Sequence, residues 1–158
     1  MNKFLIIFLL QVNFLYAIEV KCNFEEVYGN GEVHQGLFFL KNQKLRYEYF
    51  DKNLFTIIAK NGSFFLVNQA HQNNVSKIND NTEILEMFMN IASEYPNLKK
   101  TYNHENTNII VEKSSNKFIK RVSINSEKIN VSINLINCRF ENVHDKYFNH
   151  FNFVKVSQ

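Results

Sequence analysis

Apolar and polar residues alternate along much of this chain with a period of two. Ile18, Val20, Cys22 and Phe24 alternate with Glu19, Lys21 and Asn23, which predicts a half-buried strand over 18–24. Tyr28-Gly29-Asn30-Gly31 then predicts a hairpin turn, and a second strand follows over 32–40. From Gly36 to Tyr49, GLFFLKNQKLRYEY, the pattern gives two strands around a polar turn at Lys41–Lys44. Leu45, Tyr47 and Tyr49 fall on one face of the third strand, 45–50, and Arg46 and Glu48 on the other. LFTIIA at 54–59 and SFFLV at 63–67 make a further hairpin across Asn61-Gly62, and a short strand over 75–78 completes the first half.

Between Thr82 and Tyr95 the period changes. Ile84, Leu85, Phe88, Ile91, Ala92 and Tyr95 recur at three- and four-residue intervals and predict one amphipathic helix. Asn81 or Thr82 caps it, Glu83 and Glu86 suit the positive end of its dipole, and Pro96 stops it. Met87 and Met89 flank the stripe, where a side chain of adaptable shape serves either an imperfect core or a surface that meets varied apolar ligands. Residues 97–106 read as a polar linker, and strands resume over 108–112, 117–125 and 128–136. Ile129, Val131, Ile133 and Leu135 share one face, whereas Cys138 and Phe140 keep step with Ile136. That change of phase predicts a β-bulge near Leu135–Asn137. The fold class is therefore mainly β (α+β), a curved antiparallel sheet with one helix over about 82–95.

The ends and the composition restrict the function. Residues 1–17, with Lys3 before the apolar run FLIIFLL and Ala17 at the end, read as a secretory signal peptide cleaved after Ala17; an uncleaved anchor is the alternative. The run is short for a membrane span, which takes about 20 apolar residues. Residues 18–158 then form a single domain. Net charge is +3, and +2 once Lys3 leaves, with Lys and Arg scattered, so no nucleic-acid partner is expected. Cys22 and Cys138 are the only cysteines, and in an exported chain they predict a structural disulfide, with two separate buried thiols as the alternative. The histidines, at 34, 71, 104, 144 and 150, have no metal-ligand spacing, and no nucleophile elbow or phosphate loop is present. No metal, cofactor or enzymatic activity is expected.

The run from Gly36 through Gly62, with Leu45-Arg46-Tyr47-x-Tyr49 and then Ile57-Ile58-x-x-Asn61-Gly62, resembles the LolA-type periplasmic carriers of outer-membrane lipoproteins. The order of meander, helix, meander and a closing F-x-F at Phe151-Asn152-Phe153 extends that likeness along nearly the whole of 18–158. The resemblance implies an incomplete β-barrel with the helix at its concave face. It also implies a periplasmic monomer that shelters lipoprotein acyl chains and moves them from the inner to the outer membrane. An inner-membrane lipoprotein-releasing transporter and an outer-membrane receptor would be its partners. The alternative on the same half-barrel is a periplasmic lipid-sensing or interaction module. Expected acyl-lining residues are Phe39, Tyr47, Tyr49, Phe64, Leu85, Phe88, Ile91, Phe118 and Phe153; Lys41 and Arg46 are the expected polar residues of the lid and turn. The chain departs from the family where Lys41-Asn42 replaces an Arg-Pro pair, where Lys52 replaces a Pro, and where no helix precedes the first strand. A reduced lid and a more open groove are the expected result.

Overall fold

Tight turns let the chain fold back on itself at short intervals. The computed structural model describes residues 18–71, 74–80 and 82–149. The first half is a meander of β1 (Glu19–Tyr28), β2 (Val33–Lys41), β3 (Lys44–Tyr49), β4 (Phe55–Lys60), β5 (Ser63–Asn68) and β6 (Val75–Ile78). The helix α1 (Glu83–Ser93) follows, then β7 (Thr101–His104), β8 (Thr107–Lys113), β9 (Ile119–Asn125) and β10 (Asn130–Arg139). Asn61 and Gly62 both take positive φ, 53° and 68°, as the two-residue β4–β5 turn demands.

The ten strands of the described residues join one antiparallel sheet in the order β6-β5-β4-β3-β2-β1-β10-β9-β8-β7, so the first and last of them meet in the middle and the sheet stays open. Cys22 and Cys138 form a disulfide across that central β1–β10 seam. The register there slips between the pairs Lys21–Arg139 and Asn23–Ile136, and Asn137 has a φ of 54°. This is the bulge that the phase change at Ile136 predicts.

The sheet is strongly curved. Phe64 on β5 and Ile109 on β8 lie seven strand steps apart, roughly 34 Å along a flat sheet at the usual spacing of about 4.8 Å. Both nevertheless belong to one buried cluster with Phe88, Ile91 and Ala92 of α1. A helix is only about 10–12 Å across with its side chains, so the strands must curl around it. The helix crosses from one edge strand to the other along this inner face. Thr82 occupies its N-cap, although its hydroxyl accepts from no backbone amide of the first turn and donates to the Glu86 carboxylate at 2.7 Å.

The outer face carries a second, smaller core of Leu37, Phe39, Val143 and Phe148. Residues 143–148, ending in a 3-10 helix over Asp145–Phe148, lie against β3 and β4 there. Lys41 Nζ donates to the Val143 carbonyl (2.9 Å), Arg46 Nη1 donates to the Tyr147 carbonyl (3.0 Å), and Glu19 accepts from the Val143 amide (2.7 Å). Two expectations change here. The linker read over 97–106 contains β7, an edge strand whose Thr101, Asn103 and His104 are exposed and so show no apolar alternation. The first strand runs four residues further than its apolar pattern, to Tyr28, because the inner-face position after Phe24 is held by Glu26.

Candidate functional site

Between α1 and the curved sheet lies an apolar cleft of about 190 Å³. Ile84, Leu85 and Phe88 form its helical wall, while Ile57, Ile124 and Ile133 line the strand side. These positions follow from the two periods in the sequence. Ile84 and Phe88 are four apart on one helix face, and alternate residues of β3, β4, β9 and β10 point inward.

One end of the cleft is polar. Glu26 on β1 is only 5 % exposed and accepts hydrogen bonds from three phenols. Tyr47 Oη donates to its Oε1 at 2.8 Å, and Tyr28 and Tyr49 Oη each donate to Oε2 at 3.0 Å. Tyr28 stands two residues along the same strand, whereas Tyr47 and Tyr49 reach across from β3, with β2 lying between. The contact across β2 is possible because Gly36 pairs with both Phe24 and Tyr49 and puts no side chain in the way. In that gap the Phe24 ring stacks on Tyr47 with centroids 3.8 Å apart and meets Tyr49 edge-on at 5.3 Å. His34, opposite Glu26 on β2, packs edge-on against Tyr28 and Tyr49 and lies 2.9 Å from Glu32.

The phenols are held in their protonated, donating form. Burial, and next the negative charge of Glu26, push the Tyr28 hydroxyl up to about 12 and those of Tyr47 and Tyr49 well above their ordinary value. A carboxylate held by neutral donors at the end of an apolar cleft is suited to binding. Among the described residues no three His, Cys, Asp or Glu side chains gather in a way that could hold a metal ion.

Of the expected lining residues, Tyr47, Tyr49, Leu85 and Phe88 stand at the cleft. Phe64, Ile91 and Phe118 belong to the same buried cluster but pack away from the opening; Phe118 is covered edge-on by Tyr95 and Phe140. Phe39 is on the opposite face, stacked on Tyr147 at 4.8 Å, because Leu37–Leu40 is apolar throughout and alternation cannot assign its faces. Phe153 and the closing segment 151–154 lie outside the described residues. Lys41 and Arg46 are also on the outer face, holding residues 143–147 in place, so neither approaches α1. Glu26, Tyr28 and Gly36 were not anticipated from the sequence. The signal for them was the repeated spacing Glu26-x-Tyr28 and Tyr47-x-Tyr49, since a buried phenol takes a hydrogen-bond partner.

A second hollow, about 420 Å³ and open, lies between the other side of α1 and β7 and is lined by Glu83, Glu86, Asn90 and Glu94. Tyr102 on β7 donates to Glu94 at 2.9 Å and accepts from the Lys99 amide, tying the C-terminal end of the helix to the sheet edge. Among the described residues, no hydrogen bond or ion pair joins residues 83–93 to a strand. Nor, among those residues, is any helix long and apolar enough to cross a membrane. The disulfide is compatible with export. No known protein family matches the chain, and no curated protein matches it.

Proposed function

We propose that the chain is a periplasmic carrier on a LolA-like half-barrel, which shelters lipoprotein acyl chains beneath α1 while they pass from the inner to the outer membrane. The observation that carries this reading is the apolar cleft roofed by a helix that, among the described residues, side-chain packing holds down along 83–93. Exposed acyl chains lose about 0.8 kcal/mol per CH₂ in water, so a carrier need only offer apolar contact and a way in.

At about 190 Å³ the cleft is smaller than the ~300–1,000 Å³ usual for ligand pockets. Entry of a whole acyl chain therefore requires α1 to lift. The Glu94–Tyr102 bond favours a hinge at the C-terminal end of the helix, with Ile84, Leu85 and Phe88 parting from the strands. Lys41, which the resemblance makes the polar latch, is occupied with Val143 and Glu19 on the other face. Apolar contact alone would then close the lid, and release would follow from relative affinity between donor, carrier and acceptor.

The test has two arms. Purified protein should bind a fluorescent fatty acid and give it up to unlabelled competitor. Depleting the protein from its own cell should leave lipoproteins stranded in the inner membrane. No binding of the fatty acid would overturn the shelter, and normal lipoprotein sorting after depletion would overturn the transport role.

A further inference from the structure

We propose that the cleft selects amphiphiles whose polar end is an ammonium group, seated against the Glu26 carboxylate with the alkyl chain under α1. This rests on the acyl-sheltering reading and narrows its ligand class. Glu26 is buried at the end of the apolar cleft, and among the described residues no Lys, Arg or His lies within ion-pair distance of it. Its three phenolic donors supply hydrogen bonds but no net charge, so a carboxylate at this point is left without a cation.

The chemistry of the surroundings fixes the sign of the missing group. A carboxylate offers about four acceptor positions; the phenols take one on Oε1 and two on Oε2, which leaves a position on Oε1. The rings of Phe24, Tyr28, Tyr47 and Tyr49 stand around it, and aromatic faces attract cations. The cleft lining includes no Lys, Arg or His among the described residues, and His34, opposite Glu26 on β2, is turned to Glu32, so an anionic head group would meet Glu26 with little to offset the repulsion. The matching ligand is a primary ammonium next to an alkyl chain. Two sources carry that chemistry: the free α-ammonium of a lipid-modified chain terminus, and the head group of an amine-bearing lipid.

The experiment is displacement of a neutral apolar dye, N-phenylnaphthylamine, from the full chain produced by export with its disulfide formed. Decylamine, decanol and decanoate are compared below their micelle-forming concentrations. Decylamine should bind roughly tenfold more tightly than decanol, a ratio equivalent to about 1.4 kcal/mol, with decanoate weakest. Glu26→Gln should bring the amine-to-alcohol ratio down to about one, which a merely structural role for Glu26 would not do. Should Glu26→Gln fail to fold, the head-group ranking of the wild-type chain decides the matter unaided. Tyr28→Phe, which removes one donor and leaves the charge, should preserve that ranking. Equal binding of all three compounds, or a preference for decanoate, overturns the ammonium site while leaving the shelter intact; failure of all three to displace the dye overturns the shelter itself. A lipopeptide with a free or an acetylated N-terminus, set against lysophosphatidylethanolamine, then separates the two sources.

Discussion

Replacing Gly36 by alanine tests the arrangement at the head of the cleft without removing a polar group. A Cβ at Gly36 would lie 2.5 Å from Phe24 Cζ and 2.6 Å from Cε1, and inside contact range of the Glu48 carbonyl oxygen. The carbonyl belongs to β3, which is paired to Gly36 through the β2–β3 ladder and cannot retreat alone. The ring can move only by giving up its 3.8 Å stack on Tyr47. Overpacking of this kind costs about 1–3 kcal/mol, and an aromatic pair is worth about 0.5–1.5 kcal/mol beyond its buried area. Against this, alanine loses less backbone entropy on folding, a gain of about 0.4–1 kcal/mol. The balance is a loss of about 0.5–4 kcal/mol. With a urea slope of about 2 kcal/mol/M, the midpoint should fall by roughly 0.25–2 M. The chain has no tryptophan, so far-ultraviolet circular dichroism and tyrosine fluorescence would follow the transition. Adding Phe24→Leu, which removes the ring edge, should restore part of the loss as a favourable coupling between the two sites. An unchanged or raised midpoint for Gly36→Ala would refute the reasoning, because alanine without a clash is expected to stabilise.

Three other changes probe different parts of the molecule. Cys22→Ser opens a loop spanning 116 residues, for which chain entropy predicts a loss of about 4–5 kcal/mol; urea unfolding measures it, and alkylation of both thiols in native protein would contradict the bond. Phe88→Asp places a charge at a position 7 % exposed and packed edge-on against Phe38; it should abolish fatty-acid binding and lower stability by about 3 kcal/mol or more, whereas intact binding would remove α1 from the site. In alkaline titration the phenols of Tyr28, Tyr47 and Tyr49 should ionise later than ordinary tyrosines, because burial and the Glu26 charge raise them in the folded state. The unfolded chain then loses these protons first. Their contribution to stability is complete below pH 10 and declines as pH rises toward the folded value, about 12 for Tyr28. Phenolate absorbance rising for all tyrosines together near pH 10 in a still-folded protein would contradict the cluster.

What the sequence reveals depends on whether local chemistry or distant partners decide a position. The Asn61-Gly62 turn, the stripe from Ile84 to Tyr95 and the phase change at Ile136 are local, and each appears in the fold where the pattern places it. The Cys22–Cys138 pair was legible because the sequence holds only two cysteines, behind a segment that reads as an export signal. Leu37–Leu40 was different: with all four residues buried, only the neighbouring segments decide that Phe38 meets the helix and Phe39 meets Tyr147. The strand Thr101–His104 is held by backbone pairing to β8 at an exposed edge, so side-chain periodicity carries no trace of it. Glu26 escaped notice because a carboxylate on an apolar face reads locally as the end of a strand. Its burial makes sense only once Tyr47 and Tyr49 arrive from a strand two places away.

The two buried carboxylates of this region differ in how their charge is met. Glu48, on the outer face, is paired with the Arg46 guanidinium and sealed beneath residues 143–148. That pair is complete within the protein. Glu26 sits one strand pair away on the inner face, against the cleft, with phenols in place of a guanidinium. Replacing a buried charged cluster as a whole by apolar side chains of similar size is often neutral or stabilising, so folding does not demand a carboxylate here, although a leucine at 26 alone would leave the Tyr28, Tyr47 and Tyr49 hydroxyls without their acceptor. Retaining a carboxylate at the end of an apolar cleft, beneath a helix that among the described residues is held along 83–93 by packing, adds little to a core. It is a reasonable way to hold one end of an amphiphile in register while its chain exchanges places with the side chains of α1.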